Sequence, residues 1–445
     1  MQVWKFGGTS VGKPDRMQSI QRLVAQHEDR KIIVLSALSG TTNALLSIGE
    51  AATNNENEAV NAQIDSLETH YHKFVDALYQ TERGKEAGRQ IIDAEFSHIR
   101  SLTGIRPFTT RHDKELVAEG ELLSTQLFAS YLEEQNENSV LIPALEFMQV
   151  DADGEPEREV IKEKLTAILD QHTDKKIIIT QGFICRNPRN EVDNLKRGGS
   201  DYTASLIGAA IGASEIQIWT DIDGMHNNDP RIVKKTFPVR ELSFEEAAEL
   251  AYFGAKILHP STITPAKIAN VPVRLKNTMQ PDAPGTLISN HTTSGQDVKA
   301  IAAKDNITAI YIHSTRMLNA YGFLRRVFSI FEKYKTPVDM ITTSEVSVSV
   351  TIDNPTYLEE ISAELREFSE LEENDKDQSI ICIVGDFSAD RAGIALKVFQ
   401  ALKDIPIRMI SYGASEHNLS ILLHTSYKEQ ALNALNDTLF FQNNA

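Results

Sequence analysis

From the first residues to about Asn277, short apolar runs alternate with longer amphipathic stretches. The runs are Val3–Phe6, Lys31–Leu35, Val140–Pro143, Lys176–Thr180, Glu215–Thr220 and Val271–Leu275, each bounded by Gly, Pro, Asn or charge. A strand covered on both faces has no polar side to alternate with, so such runs read as strands of a buried parallel sheet. Between them, apolar residues recur at three-to-four spacing, as in Met17, Ile20, Leu23 and Val24, with Pro14 near the helix start. This alternation predicts an α/β fold, an αβα sandwich with a mostly parallel sheet and helices on both faces. Residues 48–110 have a helical but polar pattern rich in Glu, His and Gln, and read as an insertion or lid.

The pattern changes after Asn277. Gln280–Gln296 contains Pro281, Pro284, Gly285 and Gly295 among Asn, Ser and Thr, and reads as a linker. Beyond it come strand Ile307–His313, helix Phe323–Tyr334, strands Val338–Thr342 and Val346–Ile352, and helix Thr356–Phe368. The order recurs as Ser379–Val384, Arg391–Leu402, Ile407–Ser411, Leu419–His424 and Glu429–Leu439. This is a duplicated βαββα unit, whose closed form is the ferredoxin-like βαββαβ module. The second copy runs out of chain before its last strand, and the run Val298–Ala303 ahead of the first copy is free to supply it. The expected domains are therefore 1–290, 298–375 and 376–445, the last two intertwined.

Charge narrows the partners. Lys and Arg number 45 against 62 Asp and Glu, a formal charge of −17. Such an excess repels phosphate backbones and anionic lipid, which argues against nucleic acid and membrane surfaces. An anionic small substrate must then be held by local cations. Cys185 and Cys382 stand in no metal-ligand spacing, which excludes a disulfide framework and a zinc cluster. No apolar run approaches ~18 residues, and no signal-peptide core opens the chain. A cytoplasmic protein is expected.

Several stretches carry candidate chemistry. In Lys5-Phe6-Gly7-Gly8-Thr9-Ser10, two glycines let backbone N–H groups approach an oxyanion, with Lys5 as a compact cation beside them. It is not a Walker loop, and the competing reading is a plain strand-to-helix turn. In Arg197-Gly198-Gly199-Ser200-Asp201, Ser200 or Asp201 would cap a small-residue helix, and Arg197 could grip a carboxylate with its fork. Glu121 and Ser124 lie one turn apart on a helix spanning Lys114–Gln135; taken alone, they read as a solvated face. Trp219-Thr220-Asp221 ends a strand in a polar loop, where α/β sheets bind ligands. Phe253–Pro260 sets Lys256 among apolar residues, with His259 read as structural.

Taken together, the chain resembles the aspartokinases of the amino-acid kinase family. The matching stretches are Lys5–Val11, Ser36–Asn43, Glu115–Glu121, Ile179–Ile184, Arg197–Ala204, Trp219–Asp221, Asp229–Arg231 and Phe253–Pro260, in the family's order. The duplicated tail resembles the family's tandem ACT modules. The resemblance implies ATP- and Mg²⁺-dependent phosphorylation of the L-aspartate β-carboxylate to 4-phospho-L-aspartate, the first step towards lysine, threonine and methionine. By position it implies a phosphate cradle of Lys5, Gly7, Gly8 and Ser10, with Lys5 and Asp201 catalytic. It implies an aspartate site of Thr42, Glu121, Arg197 and Ser200, and nucleotide contacts from Thr220, Asp221, Arg231 and Lys256. No dedicated metal ligand is assigned. One departure is Met225-His226, where the family often has Tyr.

Competing readings are a glutamate-type kinase and a non-catalytic ACT sensor of amino acids. The ACT-like tail and the Glu115–Glu121 and Arg197–Ala204 stretches oppose the first. Retention of Lys5, Arg197, Asp201 and Lys256 opposes the second. A fused homoserine dehydrogenase is not expected, because no G-x-G-x-x-G occurs.

Regulation is expected in the first module. Gly322 opens a helix whose N-terminus could take an amino acid's carboxylate, with Met317, Asn319, Phe323 and Leu324 around the turn. Val338 and Asp339 open the next strand, and Ser344 and Glu345 turn into the one after it. Two acids suit a ligand with two ammonium groups, which is lysine, with threonine second. These positions resemble the lysine-binding module of lysine-sensitive aspartokinases, although Asn319 and Ala320 depart from the usual His-Ser. A homodimer or higher homo-oligomer through the ACT modules is expected.

Overall fold

The structure is a computed structural model and describes residues 1–195, 198–254, 260–292, 296–314, 321–372, 375–388 and 392–441. In chain order the elements begin β1 (Gln2–Phe6), α1 (Gly8–Val11), α2 (Pro14–Gln26), β2 (Lys31–Leu35), α3 (Thr41–Thr53), α4 (Asn57–Leu78), α5 (Glu82–Thr103) and α6 (Thr110–Glu134). There follow β3 (Ser139–Leu141), α7 (Arg158–Gln171), β4 (Ile177–Gln181), β5 (Ile184–Arg186), β6 (Val192–Asn194), α8 (Gly199–Ile211) and β7 (Ile216–Thr220). Next are β8 (Glu241–Ser243), α9 (Phe244–Tyr252), α10 (Pro260–Ile268), β9 (Val273–Asn277) and β10 (Thr286–Ser289). The tail holds β11 (Val298–His313), α11 (Phe323–Lys333), β12 (Ile341–Thr343), β13 (Ser347–Ile352), α12 (Leu358–Arg366) and β14 (Glu370–Leu371). It ends with β15 (Asp375–Gly385), α13 (Ile394–Ala401), β16 (Met409–Tyr412), β17 (Asn418–His424) and α14 (Lys428–Asn436).

Two compact units result, Met1–Met225 with Leu258–Thr292, and His226–Ile257 with Thr293–Ala445. In the first, β3, β4, β2, β1, β7 and β9 lie side by side, all parallel, and β10 adds antiparallel to β9. All six predicted runs are strands, and every residue of β2 and β4 is buried. The Gln280–Gln296 stretch, read as linker, contains β10: Thr286 and Ile288 are buried and alternate with less buried neighbours, as in an antiparallel strand covered on one face. The polar stretch 48–110 is helical, but its buried faces join the core of the sheet. Ile64, Tyr71, Phe74, Ile92 and Phe96 cluster with Trp4, Phe6 and Leu35.

The second unit is built on an antiparallel sheet ordered β12-β13-β11-β15-β17-β16, with β14 also on β11. β11 is one long strand with two sets of partners. Val298–Lys304 pairs with β15 alone, the β15 ladder continues irregularly to Ala309, and Thr308–His313 pairs with β13. Two cores form on it, one around Val327, Phe331, Val350 and Ile361, the other around Ile383, Val398, Ile421 and Leu435. The segment His226–Ile257 belongs to this unit. Ile301 N–H donates to the Asn227 carbonyl at 2.8 Å, and Asn227 Nδ2 donates to Asn436 Oδ1 at 2.9 Å.

Candidate active site

In the first unit the strand order reverses at β1, which has β2 on one side and β7 on the other. Ligands of open α/β sheets bind beyond the carboxyl ends of strands at such a switch point. Lys5 is the penultimate residue of β1, and its Nζ lies 2.7 Å from Asp201 Oδ1 on α8. Both side chains are largely buried. A Cβ on Gly7 would stand 3.2 Å from that ammonium, and one on Gly8 would stand 3.0 Å from the Ala37 carbonyl oxygen. The bare glycine backbone therefore keeps open the space beside Lys5, which suits a phosphate cradle.

The cap of α8 differs from expectation. Gly198, at φ 73° in the left-handed region, is the N-cap, and Ser200 and Asp201 are the second and third helical residues. This shift puts Asp201 in the first turn, favourable for an anion, and frees Ser200 for a different bond. Ser36, just beyond β2, donates its Oγ proton to Ser200 Oγ at 2.9 Å. Ser124 Oγ in turn donates to the Ser36 carbonyl at 2.9 Å.

Glu121 overturns the solvated-face reading, for it is only 4% exposed. Its Oε1 accepts the Ala37 N–H at 3.2 Å, while Oε2 has no hydrogen-bond partner among the described residues. Burial pushes the carboxyl up to about 8, although the Ala37 N–H and the Lys5 charge oppose it. A buried acceptor left open in this way suits a bound ammonium.

A second cluster joins β1, β7 and β9 at the same end of the sheet. Ser10 Oγ lies 2.8 Å from Thr278 Oγ1, and Thr278 N–H donates to the Thr220 carbonyl at 2.8 Å. Thr220 Oγ1 donates to Asp221 Oδ1 at 3.1 Å, in an exposed position. Beside Thr278 opens a cleft of about 410 Å³ with Lys13 and Arg16 on its wall. Thr42, half-buried, is the second residue of α3. Ser36, Ala37 and Thr278 were not singled out from the sequence as site residues. Their common signal is position, immediately after strands that end at the switch point.

Arg231 lies in the second unit, exposed, its guanidinium forked onto Asp229 at 2.7–3.2 Å. Arg197, Lys256, Met317 and Asn319 lie outside the described residues. Of the expected regulatory residues, Gly322 caps α11 at φ 83°, and Phe323 and Val338 pack on the first module's core. Leu324, placed at the turn, is 39% exposed. Ser344 and Glu345 are exposed, and the Ser344 N–H closes the hairpin turn onto the Ser347 carbonyl at 2.8 Å. The Asp339 side chain is buried and already carries an ion pair with Lys304. No described helix is long and apolar enough to cross a membrane.

Comparison with known proteins agrees with this fold. The amino acid kinase family model matches residues 1–277, and an ACT domain model matches residues 381–439. The chain is 34% identical to the lysine-sensitive aspartokinase 3 of Escherichia coli (strain K12), over 98% of this chain and 99% of that one. The E. coli aspartokinase III structure with aspartate and ADP (R-state) superposes with a TM-score of 0.83 at 33% identity, covering 99% of this chain and 100% of that one. The structure of the same enzyme with lysine and aspartate (T-state) gives 0.81 at 34% identity, covering 99% of both. With this agreement along the whole length, the chain belongs to the aspartokinases of the amino acid kinase family.

Proposed function

We propose that the protein transfers the γ-phosphoryl group of ATP to the β-carboxylate of L-aspartate, forming 4-phospho-L-aspartate and ADP, and that L-lysine inhibits it. The observation that carries this reading is Lys5, held by Asp201 beside the Gly7–Gly8 backbone at the switch point of an acidic protein. Two anions must meet here, so neutralising charge and fixing geometry are the main tasks. Lys5 and Lys256 neutralise the transferring phosphates, and Gly7, Gly8 and Ser10 approach them with backbone and hydroxyl donors. Asp201 orients Lys5. Arg197 takes the substrate α-carboxylate, Glu121 its ammonium, and Thr42 and Ser200 line the same site. Thr220, Asp221 and Arg231 serve the nucleotide. Mg²⁺, when bound with the nucleotide, would shield the charge of the phosphates that Lys5 and the Gly7–Gly8 backbone face.

The tail is read as two ACT modules, 298–375 and 376–445, with 298–303 joining the second. Pairing of β11 with β15 through Lys304 supports that exchange. Exposed Leu324, Phe328, Ile341 and Ile410 in the second unit support self-association into a dimer or larger assembly. Lysine acts through Asp339 and Glu345 of the first module. That the E. coli relative is named lysine-sensitive, and has been crystallised with lysine, supports this choice of effector.

The test is ADP release with L-aspartate, L-glutamate and N-acetyl-L-glutamate, with hydroxylamine trapping of the acyl phosphate, repeated with added lysine, threonine and methionine. Aspartate-dependent ADP and hydroxamate formation, suppressed by lysine, is expected. Turnover of a glutamate substrate alone would move the chain to the competing kinase class. Lysine binding without turnover on any acid would make it a sensor.

A further inference from the structure

Lys304 sits at an irregularity in β11: its ladder with β15 shifts register between Lys304 and Ile307, and pairing with β13 begins at Thr308. The Lys304 ammonium lies 2.7 Å from Asp339 Oδ1 and 2.8 Å from Asp353 Oδ2. It also stands 4.5 Å from the ring centroid of Tyr252, within range of a cation–π contact. The Tyr252 hydroxyl donates to the same Asp339 oxygen at 2.8 Å. Asp339 Oδ2 is buried and has no hydrogen-bond partner among the described residues. Tyr252, Asp339, Glu249, Ser411, Asn418 and Ser420 line a cavity of about 350 Å³.

The Asp339 side chain is 1% exposed, against 19% for Lys304 and 39% for Asp353. Burial pushes the Asp339 carboxyl up, and Lys304 holds it down. A carboxylate so desolvated needs a cation close by. Tyr252 ends α9, and two residues on Gly254 adopts φ +126° against β11. A Cβ at Gly254 would lie 2.3 Å from the Ala303 carbonyl oxygen, so the chain leaving α9 presses on the strand beside Lys304. In sequence, Lys256 follows Tyr252 by four residues.

We propose that Lys304 is a tethered stand-in for the effector, its ammonium holding Asp339 until free lysine displaces it, and that Tyr252 reads which ammonium is there. The inference rests on the reading of Asp339 as an effector carboxylate. The side chain and free lysine offer the same primary ammonium to the same oxygen. Displacement strands no charge, because Asp353 remains as a partner for Lys304. Tyr252 shares the contested oxygen, so the exchange is felt at the end of α9. Tyr252 is a positioning residue here, since it touches neither substrate.

The test compares lysine binding, by calorimetry, with lysine inhibition in the full-length protein. An internal competitor lowers apparent affinity by the fraction of time it leaves the site open. If Lys304 holds Asp339 about nine-tenths of the time, Lys304→Met tightens lysine binding about tenfold. Tyr252→Phe keeps the ring and loses the hydroxyl. It should bind lysine within about twofold of wild type while residual activity at saturating lysine rises and the KM for ATP without lysine shifts, a split expected when binding and coupling separate. Should Lys304→Met fail to fold, Lys304→Arg carries the test, because a fork engaging both Asp339 and Asp353 should weaken lysine binding. Unchanged lysine affinity in the Lys304 variants, or wild-type inhibition of Tyr252→Phe, overturns the inference while lysine regulation stands. A wild-type protein that neither binds lysine nor is inhibited by it overturns both.

Discussion

Glu121 allows the aspartate site to be tested with pH alone. Its carboxyl is 4% exposed, and burial pushes it up to about 8. A substrate ammonium requires the ionised form. With that midpoint, the ionised fraction climbs from about 3% at pH 6.5 to about 76% at pH 8.5, so kcat/KM for aspartate should rise about 25-fold. Initial rates of ADP release, with aspartate varied at saturating ATP, measure this profile. Glu121→Gln removes the titration and should flatten it. It should also lower kcat/KM by roughly 30- to 4,000-fold, the ~2–5 kcal/mol typical of truncating one partner of a buried charge pair. Stability moves in the opposite direction. Because the folded carboxyl titrates above its ordinary value of 4.5, the stabilisation it contributes is complete below about 4.5 and is lost as pH rises through about 8. Glu121→Gln should therefore melt close to wild type at pH 5 and above it at pH 8.5, by a difference on the order of a few kcal/mol. A flat wild-type kcat/KM profile would refute the reasoning, as would a 25-fold rise that persists in Glu121→Gln.

Lys5→Ala should cost roughly 100- to 1,000-fold in kcat, the ~2.7–4 kcal/mol of one oxyanion-stabilising donor, with the folded circular-dichroism spectrum retained but a lower melting temperature, since Asp201 loses its ion-pair partner. Arg197→Lys should raise the KM for aspartate strongly and that for ATP little, because an ammonium cannot reproduce the guanidinium fork; equal shifts in both would assign it a structural role. Asp339→Ala or Glu345→Ala should relieve lysine inhibition with turnover retained, read as the activity remaining at millimolar lysine.

Much of the first unit was legible because its strands are buried on both faces. Val3–Phe6 and Lys31–Leu35 are short, mostly apolar and rich in β-branched or aromatic residues, the pattern of a strand covered on both faces. β10 was hidden because an antiparallel strand covered on one face needs only alternate buried positions, and here Pro284 and Gly285 precede it. Glu121 shows the limit on the site side. Spacing put it on one face of a helix with Ser124, but not whether that face met water or the sheet. The answer comes from α6 packing over the ends of β2 and β4, which brings Ala37 and Ser36 to it.

The second unit was legible as a repeat and opaque as an assembly. Helix and strand order recur plainly, yet the membership of His226–Ile257 depends on bonds between distant residues, such as Asn227 with Asn436. No local pattern marks those asparagines. Lys304 is the sharper case. As one lysine ahead of Asp305-Asn306, it has the sequence character of a turn on the surface. It becomes a largely enclosed ion-pair partner because β11 pairs with both β13 and β15, so that the shift in its register falls beside Asp339 and Asp353. A single residue at that point touches the first module, the shared strand and the end of α9 together. Coupling between a regulatory module and a catalytic motif needs a place where elements of different origin share one charge, and sharing of that kind exists only after the chain has folded.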